Sequence, residues 1–230
     1  MEKEYVSGGI SKWKQLALAY NVWGFLLGFL SIFLGKTNLS ALIGLLYPLL
    51  GIILMKCSPG IIKMAWTNKK SEYHGIALGF FVPVIMMVVI SLDYNIMSKK
   101  SVLLPLIVIM VLMFLLIYFT GFNKAGDSIK NQLLLIIFLT FIYSIGIVIT
   151  VNCQFDSSVP NLLQPMVLKK YTTSGKGPHY HIDVASWVAS NETEHIAVRK
   201  IYYEELEIGQ TVKVQLKKGL LNIPWYYVLQ

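Results

Sequence analysis

The sequence predicts a membrane α-helical bundle of five transmembrane helices, followed by a small all-β, antiparallel, barrel-like domain. Three observations carry that expectation. Five long runs contain neither a charged residue nor a histidine. The chain is 55 % apolar and only 14 % charged, with a mean hydropathy of +0.60, against ~45–50 % and ~25 % in soluble domains. Past Val151 the charge balance turns near neutral and apolar residues alternate with polar ones. Together these exclude a disordered chain and an ordinary soluble enzyme.

The five runs are Leu16–Leu34, Leu39–Met55, Ile76–Leu92, Val102–Phe119 and Leu133–Val151, each 17 to 19 residues long. At ~1.5 Å per residue they cover roughly 25–29 Å, close to the ~30 Å hydrocarbon core. The first run is long for a signal peptide and Gly-Lys-Thr-Asn follows it, not a small-x-small cleavage site, so it is expected to be retained. Small residues recur at helical spacing. Gly24 and Gly28 form one G-x-x-x-G, and Gly75 and Gly79 a second at the start of the third run. These four are the candidate helix-packing positions, and packing inside the bundle is the expected use. Gly44 and Gly51 share a face of the second run, and Pro48, Pro83 and Pro105 lie in or near spans.

Orientation follows from the lysines. Nine lie in the N-terminal segment and the second and fourth loops, including Lys14, Lys56, Lys63, Lys69, Lys70 and Lys124; three, Lys36, Lys99 and Lys100, lie in the first and third loops. The positive-inside rule then puts the N-terminus in the cytoplasm and, after five crossings, the C-terminal domain outside. Cys57 and Cys153 fall on opposite sides, with Cys153 just past the fifth helix, so no intrachain disulfide is expected. The second loop reads as a short interfacial helix, with Ile61, Ile62, Met64 and Trp66 toward lipid and Lys63, Lys69 and Lys70 toward anionic headgroups.

No span carries a titratable group; Asp93 stands at the outer boundary of the third. Asn21, Ser31, Thr140, Ser144, Thr150 and a few tyrosines suffice for interhelical hydrogen bonds but not for a proton relay. No span supplies the paired acids, Ser–His couple or zinc ligands of an intramembrane protease.

Residues 1–151 form the expected membrane domain, 152–164 a tether and 165–230 the β domain. Strands are expected at Met166–Thr173, His179–Ala189, His195–Tyr202, Thr211–Lys217 and Ile223–Leu229, with a helical turn at Glu204–Gly209. In the fourth, Val212, Val214 and Leu216 face one way and Lys213, Gln215 and Lys217 the other. His179, His181 and Asp183 share a face of the second strand and form the candidate metal site, since two imidazoles and a carboxylate suit zinc. The opposing reading makes this the wet face, with Tyr180, Ile182, Val184 and Val188 inward. A turn at Asn191 would pair His195 near Val188, roughly 20 Å from His179 at ~3.3 Å per residue. Asn191-Glu192-Thr193 matches a glycosylation sequon. A domain this small has a marginal core. Its aromatic end, Trp225, Tyr226 and Tyr227, is therefore expected to contact the bundle, the headgroup layer or a second copy.

The functional expectation is a non-enzymatic integral membrane protein that displays a small β domain outside a bacterial cytoplasmic membrane for interaction or assembly. The alternative is a transporter or transporter subunit using the proline-kinked helices. Expected partners are a bilayer with anionic headgroups and a protein partner or second copy at the β domain. No cofactor and no nucleic acid are expected.

Overall fold

The computed structural model describes residues 2–64, 74–122, 129–174, 177–187 and 192–229, with side chains from Lys12 onward. The chain divides into two compact units, one of residues 1–93 and 98–156 and one of residues 94–97 and 157–230.

The first unit contains α1 (Glu2–Leu34), α2 (Asn38–Cys57), β1 (Ile62–Lys63), β2 (His74–Gly75), α3 (Ala77–Ser91), α4 (Lys99–Gly121) and α5 (Ile129–Gln154). Among the described residues four helices are long and apolar enough to cross a membrane: Lys12–Leu34 of α1, and α2, α4 and α5. The third expected span falls short. α3 has 15 residues, about 22 Å against a core of ~30 Å. Backbone outside the helix takes the near end of the run. Gly75 and Ile76 are drawn toward β1, with Lys63 paired to Gly75 and the Ile76 N–H donating to the Lys63 carbonyl at 3.1 Å. At the far end Leu92 closes a turn on the Val88 carbonyl.

α3 is nonetheless central. A Cβ built on Gly24 would stand 2.5 Å from the Gly79 carbonyl oxygen, and one on Gly28 would stand 2.7 Å from Val82. Position rises with position, so α1 and α3 run parallel. Gly44 meets Met87 while Gly51 meets Ile76, so α2 runs antiparallel to α3. Phe80 lies against Tyr143 with ring centroids 6.1 Å apart, and Gly146 meets Met87, so α5 is parallel again. Phe80, Val84, Met87, Ile117, Leu139 and Tyr143 are all buried in this core.

Polar groups divide into two kinds. Ser31, Thr140 and Ser144 turn their hydroxyls back onto carbonyls four residues earlier, at 2.8, 2.9 and 2.6 Å, so they do not supply the expected interhelical bonds. Tyrosines do. Tyr20 Oη donates to the Tyr47 carbonyl and Tyr47 Oη to the Tyr20 carbonyl, over rings stacked at 4.7 Å. Tyr143 Oη donates to the Leu45 carbonyl at 3.1 Å.

One end of the unit gathers Lys36, whose Nζ is 3.6 Å from Asp93 Oδ2, and Gln154, whose Nε2 donates to Asn38 Oδ1 at 3.0 Å. The opposite end gathers the Met64 N–H, donating to the Gly121 carbonyl at 3.2 Å, and Lys63 Nζ, 3.5 Å from the Phe122 carbonyl. This end corrects the expected interfacial helix. Ile62 and Lys63 form a strand, not a helix, and Ile62 and Met64 are buried, because β1 pairs with β2 instead of coiling. Trp66, Lys69, Lys70 and Lys124 lie outside the described residues, as does Asn191 of the sequon.

The second unit contains β3 (Asn95–Ile96), β4 (Asn161–Leu163), β5 (Val167–Ser174), β6 (Pro178–Ala185), β7 (Thr193–Val198), α6 (Lys200–Glu205), β8 (Val214–Lys217) and β9 (Trp225–Val228). They form two antiparallel sheets, ordered β3-β9-β8-β4 and β5-β6-β7. Val167, Ile182, Val184, Ile196, Leu206, Val212 and Val214 are buried together as the core. Ile182 and Val184 point inward from β6, as the alternation requires.

The expected barrel does not close. The sheets meet at the Met166–Thr211 bridge, with the Val167 N–H donating to the Gln210 carbonyl at 2.8 Å. The strand expected to run on to Tyr202 stops at Val198, and α6 interrupts the meander there, carrying a Lys200–Glu204 pair at 3.7 Å. The tether is shorter than expected: Asn152 to Gln154 continue α5, and Asn161 to Leu163 pair with β8.

β3 was not expected. It lies in the connection between α3 and α4 and pairs Asn95 with Tyr226 and Ile96 with Trp225, while the Met97 N–H donates to the Pro224 carbonyl at 3.0 Å. Tyr94 meets Trp225 edge-on at 5.4 Å. Replacing residues 94–97 with Gly-Ser-Gly-Ser in the full chain should speed amide exchange at Trp225 and Tyr226 about tenfold, from lost bonds worth ~0.5–1.5 kcal/mol each. Unchanged exchange would show that β3 adds nothing to the sheet.

Candidate functional site

A cavity of about 560 Å³ lies in the first unit, with Asn21 of α1, Met64 beside β1, Gly75 of β2, Leu78 and Phe81 of α3 and Phe138 of α5 in its wall. The rings of Phe81 and Phe138 stand 6.1 Å apart. Asn21 brings an amide to this apolar wall, and that amide is already engaged. Its Nδ2 donates to the Gly75 carbonyl at 2.9 Å, and its Oδ1 accepts from the Gly79 N–H at 2.8 Å.

The second bond caps α3. Ile76 holds the N-cap position and has no side-chain oxygen to offer the first-turn amides. Gly79 is the third residue of α3, and Asn21 supplies the missing acceptor from the neighbouring helix. The two α1–α3 contacts made by Gly24 and Gly28 hold it in place.

Three basic side chains lie near the β1–β2 end. Lys14 precedes Asn21 by seven residues, two turns along the same stripe of α1. His74 directly precedes Gly75; burial, and then the charge of Lys14, hold its imidazole below the ordinary range. Lys63 is held below its usual range by burial, and its ammonium is turned to the Phe122 carbonyl.

The helix-packing candidates separate. Gly24, Gly28 and Gly79 form the α1–α3 contact, as bundle packing requires. Gly75 does not, because it belongs to β2 and precedes the helix. Cys57 is exposed at the end of α2, whereas Cys153 is 4 % exposed inside α5, not past it.

In the second unit the metal candidates do not converge. His181 stacks on Tyr171 at 5.3 Å and its Nε2 is 3.2 Å from Thr173 Oγ1. His179 is exposed opposite Thr173. Asp183 Oδ1 is 2.6 Å from His195 Nδ1. Among the described residues no three His, Cys, Asp or Glu side chains could hold one ion. His195 pairs with Asp183, while Val188, its expected neighbour, lies outside the described residues. β6 ends at Ala185, so the longer connection after it brings His195 opposite Asp183.

Asn21 was legible as a polar residue in a span, but its role was not. The available signal was a third run entered through Gly-Ile-Ala, with no capping residue of its own. The chain matches no family model, no curated protein and no solved structure.

Proposed function

We propose that this chain is an integral membrane protein without catalytic activity, crossing a bacterial cytoplasmic membrane five times and displaying its β unit outside for interaction or assembly. The observation that carries the reading is the Lys36–Asp93 contact. It joins the α1–α2 connection to the C-terminal end of α3. Were α3 not a crossing, those two segments would lie on opposite faces of the bilayer and could not meet at 3.6 Å. The Gln154–Asn38 bond supports the same alternation, bringing the end of α5 to the start of α2. The lysine excess at the opposite end is the support for reading that end as cytoplasmic.

Because Cys153 is buried, the orientation test needs an introduced thiol. Val159 is 92 % exposed. In a Cys153→Ser background, Val159→Cys should react with an impermeant maleimide in intact cells, and Cys57 only after permeabilisation. The reverse pattern would overturn the orientation, and labelling of both from one side would overturn five crossings.

A further inference from the structure

We propose that the cavity between α1, α3 and α5 is a binding site for one anionic phospholipid, an acyl chain lying against Leu78, Phe81 and Phe138 and the phosphate meeting Lys14 and His74. The wall fixes the class of the buried part. Leu78, Phe81, Phe138 and Met64 are apolar, and the Asn21 amide is engaged with Gly75 and Gly79. A polar ligand would shed its hydration there without new hydrogen bonds, whereas a hydrocarbon chain loses nothing. At about 560 Å³ the space falls within the ~300–1,000 Å³ of small-ligand sites.

Charge fixes the class of the head. Lys14 is exposed and stands two turns from Asn21 on the same stripe of α1, about 10 Å along the axis. His74 adjoins the lining residue Gly75 and is half-buried. Lys14 and burial both disfavour a proton on that imidazole. A phosphate between the two side chains would accept from both, and its charge would favour the imidazole proton that burial and Lys14 disfavour. Lys63 is not assigned to the head, since its ammonium is turned to the end of α4.

The test uses the full chain in detergent, with phosphatidylglycerol, phosphatidylcholine, palmitate or inorganic phosphate added and bound species counted by native mass spectrometry. One phosphatidylglycerol should be retained about fivefold over phosphatidylcholine, the ratio that ~1 kcal/mol from the single charged residue, Lys14, gives. Lys14→Gln, an exposed change, should abolish that preference without lowering the melting temperature. Leu78→Trp should reduce retention of both phospholipids. Equal retention of the two phospholipids would overturn the proposal, as would a preference that survives Lys14→Gln. Binding of palmitate or phosphate in place of phospholipid would also overturn it.

Discussion

Gly24→Val should unfold the helical unit or leave it barely folded. A Cβ at this position would sit 2.5 Å from the Gly79 carbonyl oxygen, 2.6 Å from the Gly79 Cα and 2.8 Å from Tyr47. The first two neighbours are backbone, so no rotamer change relieves the clash. Overpacking that side chains can absorb costs ~1–3 kcal/mol; here α1 and α3 must separate, and the loss should exceed ~3 kcal/mol. Separation would also break the Asn21 bonds and the paired Tyr20–Tyr47 hydrogen bonds. Melting of the purified chain in detergent measures it. Two comparisons calibrate the result. Gly121→Ala meets only the flexible Sδ–Cε end of Met55 at close range and should cost far less, while Gly177→Ala, with nothing within 4 Å, should melt with the parent. A Gly24→Val protein melting within about 3 °C of the parent, a shift worth less than ~1.5 kcal/mol at this size, would refute the close α1–α3 crossing.

Asn21→Leu should be the second most damaging single change. Leucine has the same branching and the same number of side-chain heavy atoms, so the shape of the cavity wall changes little. What is lost is a pair of bonds, to the Gly75 carbonyl and the Gly79 N–H. Interhelical hydrogen bonds in membranes average only ~0.6 kcal/mol because the separated helices find other partners. The Gly79 amide belongs to the first turn of α3, where Ile76 offers no substitute cap. The loss should therefore approach the ~0.5–2 kcal/mol of a missing N-cap plus the cost of an unpaired carbonyl, about 2–3 kcal/mol in all. Asn21→Gln, which keeps both groups on a longer arm, should recover part of it. If Asn21→Leu and the parent melt together, the cross-helix cap is not a stabilising contact.

The long helices were legible because nothing else keeps 17 to 19 residues free of charge. The length of α3 was not. Its run is as apolar as the others, and its shortening comes from hydrogen bonds that β1 offers to residues on the far side of a loop. Hydropathy cannot register that kind of competition. The inward face of β6 was legible from Ile182 and Val184, whose alternation is local. The partner of Asp183 was not, since register depends on where the preceding strand stops, and β6 stops four residues before its apolar pattern does. The edge strands were the hardest. β3 and β4 span two and three residues, too few to show a period of two, and each becomes a strand only because β9 or β8 presents an open ladder. At the cavity, the apolar residues were each visible, but their meeting depends on α1 and α3 lying parallel, and the Gly24–Gly28 motif marks a close contact without naming the helix it meets.

The pairing of β3 with β9 also sets a schedule for making the protein. Asn95 and Tyr226 are 131 residues apart, and at ~5–20 residues per second a ribosome needs roughly 7–26 s to reach the second after the first. Throughout that interval the edge strand exists without the strand it will complete, while α4 and α5 are synthesised between them. The sheet of the second unit is therefore finished by residues that emerge only after α4 and α5, closing onto a segment laid down before the bundle itself was whole. A chain released early would carry its helices and still leave Asn95 and Ile96 unclaimed, an open edge by which a protease could tell an unfinished molecule from a finished one.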